Sequence, residues 1–140
     1  MRRLGIALQR AQNTLSRQAD TFARTLDLTG TQIIIIDFLN NQPVDQPIYQ
    51  KDIEQEFNIR KSTATNILNL MVKKRLIIRQ IGTHDKRLKQ ISLSPQAQQL
   101  AVQIDTFFEN SEKAIRDKLG DTAKQELTKQ LEKLFKETNM

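Results

Sequence analysis

The sequence contains no cysteine and one histidine, His84. Disulfide staples and thiol-based redox sensing are therefore excluded, as is a zinc site built from Cys and His. A site made of carboxylates alone would suit harder ions. Cys-His nucleophilic chemistry is ruled out, and a Ser-His-Asp triad would have only His84 to draw on. Long apolar runs are missing too. The longest, Ile33 to Ile36, falls far short of the about 20 residues a membrane span needs. The chain begins Met1-Arg2-Arg3, but Gln9, Arg10, Gln12, Asn13 and Arg17 follow, so no signal-peptide core develops. No cofactor loop, metal cluster or nucleophile–base pair is visible. These absences lead to the expectation of a cytoplasmic protein that is not an enzyme, holds no cofactor and has no membrane partner.

What is present is charge, unevenly placed. The 140 residues carry a net +6 and suit one domain with a real core. Between Arg60 and Ile91 lie nine basic residues and one acid, Asp85, a local net of +8. The rest of the chain holds 13 basic and 15 acidic residues and is close to neutral. A basic block in a near-neutral chain points to a polyanion partner, the alternative being a solvated face with none.

Apolar residues mark out the elements. Leu4, Leu8, Ala11, Leu15, Ala19, Phe22 and Leu26 recur every three or four residues and predict a first helix over 4–28. Thr29 or Thr31 is placed to cap a second helix through Ile33–Leu39. Four consecutive isoleucines favour a strand on propensity, but a buried helix tolerates apolar residues all round. A loop with Pro43 and Pro47 precedes a short helix over about Tyr49–Phe57. After the turn Asn58-Ile59-Arg60, a further helix runs from about Ser62 to Arg75, with Ala64, Leu68, Met71 and Val72 on its buried side. Two short helices joined by a tight turn form a helix-turn-helix pattern. Leu76–Ile81 and Gln90–Leu93 read as a hairpin whose tip is polar from Gly82 to Arg87. Ser94-Pro95 starts a helix through Leu119, and the last follows Gly120-Asp121. The fold expected is mainly α with a small β-wing: a winged helix-turn-helix at about 29–93, flanked by terminal helices at about 1–28 and 95–140, in one domain.

The start of the second helix-turn-helix helix carries Arg60, Lys61, Ser62, Thr63, Thr65 and Asn66. Short polar and basic side chains suit the first turn of a recognition helix, where base edges come close. Ser62 or Thr63 would also serve as a cap. The hairpin tip offers Lys86, Arg87 and Lys89 to a minor groove, where negative potential is strong. Asp85 would hold Arg87 by a charge-assisted bond or form an Asx turn, and His84 reads as an exposed loop residue. Lys73-Lys74-Arg75 suits a helix C-terminus.

Ser62-Thr63-Ala64-Thr65, then Leu76-Ile77, then Asp85-x-Arg87-x-Lys89 resemble the MarR family of bacterial regulators. Leu28-Thr29-x-x-Gln32 is similar too, and the resemblance covers nearly the whole chain. It implies a triangular homodimer interlocked by its first and last helices. It implies a pseudo-palindromic double-stranded DNA operator, with the recognition helix in the major groove and Arg87 in the minor groove. Many members release DNA on binding small, often phenolic or anionic, compounds. Many also carry Arg where this chain has Asn66, so their base-reading code does not transfer.

The terminal stripes exceed what a winged helix needs for its own core, and a second copy of the chain would cover them. The resulting expectation is a transcriptional regulator, a repressor released from its operator by a small aromatic or anionic effector. Phe22, Leu26, Phe38 and Phe107 are candidates to line the effector pocket, or are simply core. The alternatives are an effector-independent architectural DNA-binding protein and a winged-helix protein-interaction module.

Overall fold

The computed structural model describes residues 1–82 and 87–138. The elements run α1 (Leu4–Arg24), α2 (Gly30–Asn40), α3 (Gln50–Phe57), α4 (Lys61–Lys73), β1 (Ile77–Ile81), β2 (Lys89–Leu93), α5 (Pro95–Leu119) and α6 (Asp121–Thr138). They divide into two compact units, Met1–Ile104 and Asp105–Met140, with α5 continuing through the division. None of the described helices is long and apolar enough to cross a membrane. The mainly helical fold with a two-stranded antiparallel wing is the one expected from the sequence.

In the first unit, the isoleucine run is helical. Thr29 Oγ1 accepts from Gln32 N–H at 3.2 Å, and the Thr29 N–H donates to Gln32 Oε1 at 3.1 Å. This reciprocal capping box starts the helix despite the strand propensity of four isoleucines. Ile33, Ile35 and Ile36 are buried, as the core of an all-round apolar helix requires. Asp20 Oδ1 accepts from Gly30 N–H at 2.9 Å, which ties α1 to the start of α2.

Helices α1, α3 and α4 end in one way, although no glycine is there to help. Asp27, Asn58 and Arg75 adopt positive φ of 61°, 51° and 60°. The next residues, Leu28, Ile59 and Leu76, donate back to the carbonyls of Ala23, Glu54 and Met71. This is the Schellman arrangement, and each of the three following side chains is apolar, as the motif favours. A left-handed residue other than glycine is strained. Arg75→Gly should therefore stabilise the fold by about 0.5–1 kcal/mol. A urea midpoint that rises with unchanged slope checks this; a fall would contradict it.

The hairpin pairs Ile77 with Leu93, Arg79 with Ile91 and Ile81 with Lys89. These six side chains share one face. At the root Ile77, Ile91 and Leu93 are buried, whereas farther out Arg79 is half-buried and Ile81 and Lys89 are exposed. One face thus passes from core to open groove along the hairpin. Ile91 N–H also donates to the Ile48 carbonyl at 2.7 Å, docking the segment before α3 onto β2. Ser94 Oγ accepts from Ala97 N–H and donates to the Arg75 carbonyl at 2.7 Å, so one hydroxyl caps α5 and fastens it to the end of α4.

In the second unit, Gly120 takes φ 85°, a left-handed turn between α5 and α6 that glycine adopts without strain. Lys124 pairs with Glu112 at 3.1 Å across this turn, and Lys113 with Asp117 at 3.0 Å along α5. Such surface pairs each contribute little.

Candidate nucleic-acid interface

Helix α4 buries Ala64, Leu68 and Met71 and turns Lys61, Ser62, Thr63, Asn66, Asn69, Leu70 and Lys73 to solvent. Val72, expected inside, is 38% exposed. It is one helical step away from the line of Leu68 and Met71, so the buried stripe is narrower than its spacing suggested. The cap is the extended backbone of Arg60, which makes no side-chain cap bond. Neither Ser62 nor Thr63 caps the helix, and both side chains remain on its exposed first turn.

Helix α3 packs against α4 and holds its neighbouring side. Tyr49 N–H donates to Asp52 Oδ2 at 2.8 Å and fixes the start of α3. Gln50 follows, and its side-chain amide donates to Thr65 Oγ1 at 2.9 Å and to Glu54 Oε2 at 3.1 Å. Thr65 is half-buried, unlike the neighbouring Ser62, Thr63 and Asn66. On the hairpin side, Arg79 donates to Asn69 Oδ1 at 2.8 Å, which ties β1 to α4.

Between α3, the start of α4 and the hairpin lies a groove of about 500 Å³. Tyr49, Gln50, Lys51 and Glu54 line it from α3, Lys61 and Thr65 from α4, and Arg79, Arg87, Leu88, Lys89 and Ile91 from the hairpin. Five cations therefore face one carboxylate, and Glu54 is already engaged by Gln50. Such a concave basic surface favours an extended polyanion.

The structure brings Lys61, Thr65, Arg87 and Lys89 together in this groove and leaves Ser62, Thr63 and Asn66 on the adjoining exposed face. Arg60 is exposed at the helix start. His84, Asp85 and Lys86 lie outside the described residues, as does the expected Asp85–Arg87 bond. Gln50, Lys51 and Arg79 line the groove without having been singled out in the sequence. Arg79 belongs to the basic block, so its charge was visible, but its position was not.

Lys74 does more than neutralise a helix end. Its Nζ donates to the Asp27 carbonyl and to Gln32 Oε1, both at 3.2 Å. The end of α4 is thereby pinned to the corner between α1 and α2. Of the pocket candidates, Phe22, Leu26, Phe38 and Phe107 are all half-buried. Phe38 meets Phe57 edge-on with centroids 5.6 Å apart, and Phe107 meets Phe108 at 5.1 Å. Phe38 also borders a hollow of about 290 Å³ with Gln42, Gln46, Ile48, Asp52, Gln55 and Glu56.

Comparison with known proteins places these features in context. The model of the MarR family matches residues 26–88. The transcription regulator MarR of Oenococcus oeni PSU-1 is 34% identical, with 96% of this chain and 99% of that one covered and a TM-score of 0.88. The S. aureus MepR–DNA complex is similar in fold at 20% identity and a TM-score of 0.85, covering 98% and 99% of the two chains. A putative MarR family transcriptional regulator from Listeria monocytogenes, complexed with 26mer DNA, is also 20% identical, at a TM-score of 0.83 over 98% and 89%. No curated protein sequence matches the chain.

Proposed function

The chain belongs to the MarR family of DNA-binding transcription regulators, which are not enzymes, and from that premise we propose that it is a homodimeric, sequence-specific repressor. The observation that carries this reading is the basic groove joined to the exposed first turn of α4. In it, Arg60, Lys61, Ser62, Thr63, Thr65 and Asn66 enter the major groove of double-stranded DNA. Hydroxyl and amide groups there read base edges, and the lysine serves guanine or phosphate. Lys86, Arg87 and Lys89 serve the adjacent minor groove and backbone, Asp85 holds Arg87 in place, and His84 completes the wing tip. The relatives from S. aureus and Listeria were solved with DNA and share the fold.

Dimerisation falls to the terminal helices, about 1–28 and 95–140, around the winged helix-turn-helix of about 29–93, as parts of one domain. Leu4 and Leu15 on α1 are 61% and 38% exposed, and Leu119 and Leu127 are exposed at the other end of the chain. Apolar stripes of this kind bury themselves against a second copy. Two recognition helices then address half-sites about 34 Å apart on a pseudo-palindromic operator. A small aromatic or anionic effector, bound near Phe22, Leu26, Phe38 or Phe107, favours a dimer whose spacing no longer matches and so releases the DNA.

Selection of bound duplexes from a random pool tests this. Enrichment of one inverted repeat is expected, followed by release of that duplex by a small aromatic acid. Failure to enrich any sequence contradicts specific regulation and favours an architectural role. Enrichment without release by any such acid contradicts the effector step alone.

A further inference from the structure

The groove contains a hydrogen-bond arrangement that gives Thr65 a direction. Gln50 is the first residue of α3, and its amide nitrogen lies 2.9 Å from Thr65 Oγ1, 3.1 Å from Glu54 Oε2 and 3.4 Å from the Lys61 carbonyl. A carboxylate and a carbonyl only accept hydrogen bonds. The NH₂ of Gln50, and not its carbonyl, must therefore face this cluster, and the Thr65 hydroxyl receives its proton.

The Thr65 proton must then go elsewhere. Thr14, Thr21 and Thr128 donate to the carbonyl four residues back, at 3.1, 2.9 and 3.0 Å. That is the usual outlet for a helical threonine. Thr65 does not do this; the corresponding Lys61 carbonyl lies instead beside the Gln50 amide. Among the described residues, the Thr65 O–H meets no acceptor, and Thr65 lines the groove.

We propose that Gln50 is a positioning residue for base reading: it occupies Thr65 as an acceptor and so presents Thr65 to the groove as a hydrogen-bond donor. The base pair facing Thr65 is then selected for an acceptor edge. Guanine N7 and O6, adenine N7 and thymine O4 accept such a bond, and the amino groups of cytosine and adenine repel it. This inference rests on the reading of the groove as a DNA-binding surface. One neutral hydrogen bond gives a preference of about two- to tenfold per half-site.

The test compares duplexes selected from a random pool by the full-length protein and by Gln50→Met, Thr65→Val and Thr65→Ser. The wild type should prefer an acceptor edge at one base pair of each half-site. Gln50→Met and Thr65→Val should lose that preference and keep the others, while Thr65→Ser should retain it. Gln50→Met with all base preferences intact, whether at full or uniformly reduced affinity, overturns the proposal. If Gln50→Met does not fold, as judged by circular dichroism, Gln50→Glu decides. A carboxylate can only accept, so Thr65 must donate to it, and the preference should shift toward an amino edge. No shift overturns the proposal. A wild type that enriches no sequence overturns the DNA-binding reading itself, a result distinct from all of these.

Discussion

Removal of residues 1–27 should leave a monomeric or insoluble chain. Helix α1 packs against α2 through the buried Ala19 and Ala23, beside the isoleucine core. Its first half contributes little to that packing, since Leu4 and Ile6 are exposed, as is Leu15 just beyond it. Deletion thus has two consequences: it uncovers part of the α2 surface and removes an apolar stripe assigned to the dimer. A monomer meets only one half-site, and loss of the linked second contact lowers operator affinity by about 10²–10⁴-fold. Light scattering during size-exclusion chromatography reads the mass directly. A soluble truncated dimer that still binds its operator would sink the dimer assignment.

Arg87→Ala should weaken operator binding by about 30-fold to more than 10³-fold. A charge-assisted arginine contact in the minor groove is worth about 1–3 kcal/mol, and the proposed homodimer would lose two of them. The proper control is an exposed lysine on α6, Lys129, whose removal changes net charge equally. Lys129→Ala should change affinity by less than about threefold, because Lys129 does not line the groove and a solvated charge without a DNA contact adds only a screened attraction. Equal effects of the two substitutions would show that Arg87 acts through bulk charge, and the wing assignment would fail.

How far these features were legible in the sequence follows from the range of the forces involved. The helical period of α1 and the Ser94-Pro95 start of α5 are local signals and were readable. The isoleucine run was ambiguous because propensity favours strand, and only the Thr29–Gln32 box together with the burial of Ile33, Ile35 and Ile36 settles it as helix. The end of α4 comes at Lys73, short of the expected Arg75, because Arg75 takes a left-handed conformation that an arginine does not advertise. The basic character of the interface was visible as composition between Arg60 and Lys89. Its shape was not, since Gln50 and Thr65 stand 15 residues apart and meet only when α3 packs on α4. Lys74 is similar: its bonds to Asp27 and Gln32 span more than 40 positions, which no periodicity reveals.

The central claim is that the surface from Arg60 to Lys89 recognises a DNA sequence and does not merely attract a polyanion. The most direct measurement is fluorescence anisotropy with the selected inverted repeat and with a random duplex of equal length, each titrated over a range of salt. Affinity for both should fall steeply with salt, by close to one power of concentration per phosphate neutralised. The selected duplex should bind at least about 10³-fold more tightly than the random one at physiological salt. Equal affinity for the two duplexes, at any salt concentration, would contradict the account.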